Sequence, residues 1–295
     1  MSPPGTPPVG KAAVVLSSHV VRGAVGNRSA VFALETFGFQ VWAVPTLLLP
    51  WHPGHGQATR IEPDPEQFGS LLDDLLNSPW FGEVGAILTG YMASPAQAVQ
   101  IADFVGRALS RNPAILYLCD PVIGDLGSLY VPTQTAVEIR DRLLPQAAIA
   151  TPNLHELAWL TDSGPLATAE AAIAAARSLA PATLLVTSAP AFMQGNTANL
   201  LVDGHTAFLA EHRQIAGPAN GSGDLVSGLF LARILQGCSP RQALELASAS
   251  IFECVARAAA AGSNELIPQA DLSLLLHPAA RITVRQISTT RLRSS

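Results

Sequence analysis

Residues 217–228 read GPANGSGDLVSG and stand directly before a strongly apolar helical run. Glycine has no Cβ, so the backbone amides of residues 220–223 can turn toward one point. The following helix directs the positive end of its dipole to the same place, which favours an anion there. Asp224, in the first helical turn, could then accept a proton from a hydroxyl group beside the anion. An ordinary helix N-cap formed by residues 222–224 explains the same sequence equally well.

Length and composition indicate one large hydrophobic core. The chain has 295 residues, of which 48% are hydrophobic and 13% are charged. Single α/β domains of this size are common, and this composition allows an extensive apolar interior. We predict one domain over residues 11–280, between a flexible Pro/Gly-rich N-terminus at 1–10 and a basic C-terminal tail at 281–295, which is either a surface strand or a loose end.

Charge and cysteine content argue against several classes of partner. The net charge is −5 and the arginines are scattered, which disfavours nucleic-acid binding. No apolar run reaches the roughly 20 residues that span a bilayer, so we predict no membrane partner. Lys11 is the one lysine, which rules out a GxxxxGK[ST] phosphate loop. Cys119, Cys238 and Cys254 are odd in number and widely spaced, which favours reduced thiols and a cytoplasmic location.

The predicted elements alternate between strands and helices. We predict strands at 12–16, 40–44, 85–88, 114–118, 147–150 and 183–186, then a hairpin around Asp203-Gly204. Helices follow most strands, the first over 27–37 with Asn27 as its N-cap. This order predicts a three-layer α/β/α sandwich with a mostly parallel central sheet. Ligands of such sheets bind beyond the carboxyl ends of the strands.

Polar residues follow the predicted strands and would therefore gather at that edge. Ser18, Thr46 and Tyr91 follow the first three strands. Asp120 and Asp125 flank a Pro…Gly turn after the fourth, where two carboxylates can converge on one divalent cation. A turn in which both aspartates cap backbone amides is the alternative, which spacing alone favours slightly.

Two further strand ends carry polar groups of the same kind. Thr151, Asn153 and Glu156 follow the fifth strand, and Thr187 and Ser188 follow the sixth. Glu156 would stand in the first turn of a helix, where it either compensates the helix dipole or supports a metal site.

The long connection at 47–68 is rich in proline and glycine and contains His52 and His55. Such a loop is either a lid over a site or a mobile surface excursion. Two histidines with no cysteine or acidic residue nearby in sequence are a weak metal signal, so we expect loop residues that touch a substrate or nothing.

Six segments, in this order and spacing, resemble pyridoxal kinases of the ribokinase-like superfamily: SSHVVRGAVGNRSA (17–30), VWAVPTLLLPWHPGHG (41–56), LTGY (88–91), CDPVIGD (119–125), TPNLHEL (151–157) and GSGDLVSGLF (221–230). The resemblance covers nearly the whole chain. It implies a ribokinase-like fold and transfer of the ATP γ-phosphoryl group to the 5′-hydroxyl of pyridoxal, pyridoxine or pyridoxamine, in vitamin B6 salvage. It also implies Mg²⁺, a monovalent cation and a homodimer.

The resemblance assigns a role to each matching residue. It makes Asp224 the base that takes the hydroxyl proton. The anion hole comprises the amides of Gly221, Ser222 and Gly223. The substrate-binding set is Ser18, Thr46, His55, Tyr91, Gly221 and Asp224. The ATP-binding set is Asp120, Asn153, Glu156, Thr187, Ser188 and Ser222, and the metal set is Asp120, Asp125, Thr151, Glu156 and Thr187.

The chain departs from the family pattern in two places. GSGD stands where the family usually has GTGD, which keeps the hydroxyl, and the HPGHGQ loop differs from that of many relatives. These departures leave the preferred vitamer open. Two other functions stay in competition: a hydroxymethylpyrimidine kinase of the same fold, and a non-catalytic protein that binds a B6 vitamer.

Overall fold

The computed structural model describes residues 12–125, 128–216, 220–270 and 272–287. The predicted flexible N-terminus at 1–10, the first three residues of the glycine-rich stretch and the tail beyond residue 287 lie outside the described residues.

Strands and helices alternate through most of the chain. The strands are β1 (Ala12–Val20), β2 (Gln40–Leu49), β3 (Val84–Thr89), β4 (Leu116–Cys119), β5 (Gly124–Asp125), β6 (Ser128–Leu129), β7 (Ile149–Ala150), β8 (Thr183–Ala189), β9 (Asn196–Asp203), β10 (Thr206–Arg213) and β11 (Thr283–Gln286). The helices are α1 (Asn27–Thr36), α2 (Pro65–Asn77), α3 (Pro95–Arg111), α4 (Thr133–Glu138), α5 (Leu154–Leu160), α6 (Ala169–Ala176), α7 (Ser222–Leu235), α8 (Pro240–Ala260) and α9 (Leu272–Leu276).

A nine-stranded sheet forms the centre, in the order β11-β10-β9-β8-β7-β4-β3-β1-β2. The strands from β8 to β2 in that order pair in parallel. The pairs β8–β9, β9–β10 and β10–β11 are antiparallel. Strands β5 and β6 form a separate two-stranded hairpin beside it. The predicted mostly parallel sheet and the hairpin at Asp203-Gly204 are confirmed.

The two faces of the sheet carry separate helix layers. Along β1, Val14 and Leu16 belong to a core shared with α2 to α6, whereas Ala13 and Val15 belong to a core shared with α1, α7, α8 and α9. Alternate side chains of a strand point to opposite faces, so a strand covered on both sides is apolar throughout. This confirms the three-layer sandwich. No helix within the described residues is long and apolar enough to cross a membrane.

Helix α1 begins differently from the prediction. Gly26, not Asn27, is the N-cap residue, and it makes no side-chain capping bond. Gly26 has φ 59°, and a Cβ there would collide with the backbone oxygen of Ser18. A residue with that φ and that close a neighbour has to be glycine. The turn thereby brings the start of α1 against the end of β1, at the functional edge of the sheet.

Candidate active site

A cavity of about 640 Å³ opens at the carboxyl edge of the parallel strands. It is lined by the ends of β1, β2 and β8, by the loops that follow β1, β2, β3, β4 and β7, and by the first turn of α7. Predicted site residues that line it are Ser18, Tyr91, Asp120, Asp125, Thr151, Asn153, Glu156, Thr187, Ser188, Gly221, Ser222, Gly223 and Asp224. Thr46 and His55 are not among its lining residues.

The glycine-rich turn presents backbone amides at one end of the cavity. Gly221 is the N-cap of α7 with φ 85°, and a Cβ there would collide with the carbonyl oxygen of Ala24. The N-cap residue makes no side-chain capping bond, and the first amides of an α-helix have no intrahelical partner. A Cβ at Gly223 would meet no described atom within 4 Å. The turn therefore leaves open space where an anion can approach the helix amides.

Asp224 lies in the same turn and faces the cavity. Its carboxylate accepts a hydrogen bond from the backbone amide of Gly26, which lowers the pKa, but burial has the larger effect and raises the pKa to about 6. A carboxyl group with a pKa near 6 is mostly ionised at neutral pH and is a stronger base than an exposed aspartate.

Asp120 is the second carboxylate of the cavity, and it is buried. Burial, and then the neighbouring charge of Asp224, raise its pKa to about 8. The Ser227 hydroxyl lies 2.8 Å from Asp120 Oδ2 and 2.8 Å from Thr151 Oγ1, so it links the two. We did not predict a role for Ser227. The available signal was its position three residues after Asp224, which places both on one face of α7.

Glu156 holds the start of α5 to the segment after β4. It forms a capping box with Asn153, whose backbone amide it binds at 2.8 Å. Its other oxygen accepts bonds from the amides of Ile123 and Gly124, at 3.0 and 3.4 Å. Burial and the charge of Asp120 raise the Glu156 pKa well above its usual range. These bonds show that Glu156 caps the helix, whereas dipole compensation and the metal role stay predictions.

Asp125 is exposed on the short β5 strand, beside Tyr130, with which it hydrogen-bonds. Within the described residues, no group of three or more His, Cys, Asp or Glu side chains forms a metal cage. Magnesium sites commonly use one or two carboxylates together with substrate phosphates and water. The buried carboxylates of Asp120 and Glu156, the first of which raises the pKa of the second, fit such a partial site.

The other half of the cavity has apolar walls and few polar groups. Val20, Leu47 and Leu49 lie there with the Ser18 side chain, and His52, Pro53 and Gly54 come from the long loop. Apolar walls with a few directed polar atoms are typical of sites for small organic molecules. Arg60 also lines this half and donates to the Tyr91 hydroxyl at 3.3 Å. We did not predict Arg60, because it lies inside a loop and follows no strand.

Thr46 and His55 bind protein groups instead of lining the cavity. The Thr46 hydroxyl is fully buried and donates to the Tyr91 carbonyl oxygen at 2.7 Å. His55 Nε2 lies 2.7 Å from Glu265 Oε1. The structure thus places each of them one layer behind the cavity wall, and direct contact with substrate stays a prediction for both.

Comparison with known proteins identifies the family. The model of the phosphomethylpyrimidine kinase family matches residues 73–268. The pyridoxal kinase PdxY of Granulibacter bethesdensis is 36% identical over 272 residues, which cover 89% of this chain and 95% of that protein. The PdxY of Pseudomonas aeruginosa is 36% identical over 281 residues, covering 91% and 96%.

Solved structures agree with the sequence relatives. Pyridoxal kinase from Leishmania donovani, in complex with ADP and pyridoxamine, superposes with a TM-score of 0.87 at 25% identity, covering 94% of this chain and 100% of that one. Its complex with ADP and pyridoxine gives a TM-score of 0.86 at 25% identity, covering 94% and 99%. The chain belongs to the phosphomethylpyrimidine kinase family and, within it, to the pyridoxal kinases of the ribokinase-like superfamily.

Proposed function

We propose that this chain transfers the γ-phosphoryl group of ATP to the 5′-hydroxyl of pyridoxal, and also of pyridoxine and pyridoxamine. The product from pyridoxal is pyridoxal 5′-phosphate, so the reaction belongs to vitamin B6 salvage. The observation that carries the proposal is Asp224 beside the uncapped amides of α7, in one cavity with an apolar half. The relatives named pyridoxal kinase and the structures with ADP and a vitamer support the choice of substrates.

The chain's residues supply a base and a site for developing negative charge. The 5′-hydroxyl oxygen forms a bond to the γ-phosphorus, its proton passes to the Asp224 carboxylate, and the bond from phosphorus to the ADP oxygen breaks. The amides of Gly221, Ser222 and Gly223 and the α7 dipole stabilise the charge on the transferring group. Positioning and charge stabilisation are what phosphoryl transfer chiefly requires, and both are met here without a P-loop lysine.

Nucleotide and cation binding are proposed for the strand ends beside this turn. Asp120, Asn153, Glu156, Thr187, Ser188 and Ser222 would contact ATP, and Asp120, Asp125, Thr151, Glu156 and Thr187 would hold Mg²⁺ and a monovalent cation. Bound cations would neutralise phosphate charge and the buried carboxylates together. Ser188 has a positive φ of 54° at the end of β8, a backbone conformation that is costly for serine and is often found at functional sites.

Assembly and location complete the proposal. The family resemblance supports a homodimer, and the cysteine pattern supports a cytoplasmic enzyme. Sedimentation velocity at micromolar concentration gives the oligomeric state directly, and a monomer would contradict this part of the proposal.

The test is a comparison of acceptors with the purified chain. Steady-state rates are measured with pyridoxal and with hydroxymethylpyrimidine, each with MgATP, and we expect the higher kcat/KM for pyridoxal. The name of the matching family favours the pyrimidine as the second candidate, and faster turnover of the pyrimidine would establish it instead. Vitamer binding with no release of ADP would identify a non-catalytic binding protein.

A further inference from the structure

Glu265 is a buried carboxylate outside the cavity, and the proposed chemistry does not use it. It is 7% exposed and lies in the segment that follows α8. The Ser263 hydroxyl binds both its backbone amide and its carbonyl oxygen, at 3.2 and 2.7 Å. These two bonds fix the Glu265 backbone, from which the side chain extends.

Three segments that border the cavity meet at this one residue. His55 Nε2 lies 2.7 Å from Glu265 Oε1, and Arg22 Nη1 donates to the same oxygen at 3.3 Å. The Gly23 backbone packs so closely on the carboxylate that a Cβ there would lie 2.8 Å from Oε2. Asn220, next to the phosphate turn, forms a β-bridge with Glu265.

These contacts reach the cavity wall through very short pieces of chain. His52, Pro53 and Gly54 line the cavity, and they belong to the same 3₁₀ turn as His55. The His55 amide donates to the His52 carbonyl oxygen at 2.9 Å. A tether on His55 thus fixes the residues that cover the apolar half of the cavity.

We propose that Glu265 is a positioning residue that holds loop 52–56 closed over the cavity and joins it to the phosphate turn at Asn220. The catalytic consequences of this tether rest on the kinase function proposed above. Without the tether the closed loop would be less populated, and the apparent affinity for the vitamer would fall by the same factor. An open loop would also admit water, which competes with the vitamer hydroxyl as acceptor.

The first experiment needs no substrate. Amide hydrogen exchange of the peptide that contains loop 52–56 is measured in the free wild-type chain, in Glu265→Ala and in His55→Ala. We expect both variants to lower protection of this peptide about tenfold, the effect of losing about 1.4 kcal/mol from a charge-assisted hydrogen bond. His55 is partly exposed, so His55→Ala tests the tether even where Glu265→Ala fails to fold.

The second experiment measures catalysis in the same variants. We expect the KM for pyridoxal to rise about tenfold with kcat changed less than about threefold, and hydrolysis of ATP without vitamer to increase. Glu265→Gln keeps an oxygen that can accept from His55, so it should recover most of the wild-type KM. The double variant should have a KM no higher than that of the more impaired single variant, because both substitutions break the contact between His55 and Glu265.

The matched control is Glu138→Ala on α4, whose carboxylate makes a short ion pair with Arg142 at 2.6 Å and does not line the cavity. It should leave exchange and kinetics unchanged. Unchanged protection of loop 52–56 in both Glu265→Ala and His55→Ala would overturn the proposal, as would fully additive effects on KM. A wild-type chain that phosphorylates no vitamer would refute the kinase function, while hydrogen exchange would still decide whether Glu265 tethers the loop.

Discussion

The half of the cavity proposed to hold phosphate (the phosphate half) and the half proposed to hold the vitamer (the vitamer half) are built in different ways. The phosphate half consists of strand ends and helix starts, with Asp120 after β4, Thr187 near the end of β8 and Gly221 before α7. The vitamer half depends on the long connection after β2, which contributes His52, Pro53, Gly54 and Arg60. It also depends on tethers such as the bond from His55 to Glu265. A site on regular elements has its geometry from the fold, whereas a loop site needs further contacts to fix it.

This contrast predicts where substitutions act. Changes in the phosphate half should lower the rate or the affinity for ATP, and changes in the vitamer half should raise the KM for pyridoxal. Substitution of Thr46, which is buried behind the wall, should affect stability first. A residue of one half whose substitution has the effect expected for the other half would belong to that other half.

The largest effect is expected from Asp224→Asn, which removes the proposed base. The kcat should fall about 10²–10⁴-fold, the range for loss of a general base, with little change in ATP affinity. Rapid-quench or coupled assays of ADP release measure the rate, and nucleotide titration measures the affinity.

Stability of the same variant provides the control. Burial raises the Asp224 pKa to about 6, so the folded chain binds a proton more tightly than the unfolded chain, and stability falls as pH rises between about 4 and about 6. Asn at this position avoids that cost, and we expect a Tm at pH 7.5 no lower than wild type. Unimpaired turnover would refute the role given to Asp224.

Two glycines of the phosphate half allow effects on stability and on nucleotide binding to be measured separately. Gly221→Ala adds a Cβ that collides with the Ala24 carbonyl oxygen at a residue with φ 85°, so we expect a clear loss of Tm. Gly223→Ala meets no described atom within 4 Å, so its Tm should be preserved. If ATP phosphates approach this turn, the KM for ATP of Gly223→Ala should rise by about tenfold or more. A normal KM for ATP would place the phosphates elsewhere.

The same division explains how much could be predicted from the sequence. Apolar runs and turn residues were enough for the sheet and its functional edge, because a strand's end is a local property. They also placed Asp120 and Asp224 in one cavity. Tethers such as Thr46 to Tyr91 and His55 to Glu265 join residues 45 and 210 positions apart. No local pattern encodes such contacts. The family resemblance assigned both side chains to the substrate, and that role stays a prediction.

The pH profile gives a smaller effect and tests the ionisation of the base. The proton acceptor must be the carboxylate form, and its fraction falls as pH drops below about 6. Between pH 7 and pH 5 we expect kcat/KM to fall about tenfold, as titration of one group requires. The residual activity of Asp224→Asn should be flat over this window. A profile that declines only near pH 4 would indicate a base with an unshifted pKa.

The smallest effects should separate two residues to which the family resemblance assigns the same role. Ser18 lines the cavity, whereas the Thr46 hydroxyl is buried against the Tyr91 carbonyl oxygen at 2.7 Å. Ser18→Ala should raise the KM for pyridoxal about threefold to tenfold without lowering Tm, since a hydrogen bond contributes about 0.5–1.5 kcal/mol. Thr46→Val keeps the shape but leaves that carbonyl oxygen unpaired, at a cost of about 1–3 kcal/mol of stability. A rise in KM for Thr46→Val with an unchanged Tm would place Thr46 in contact with the vitamer.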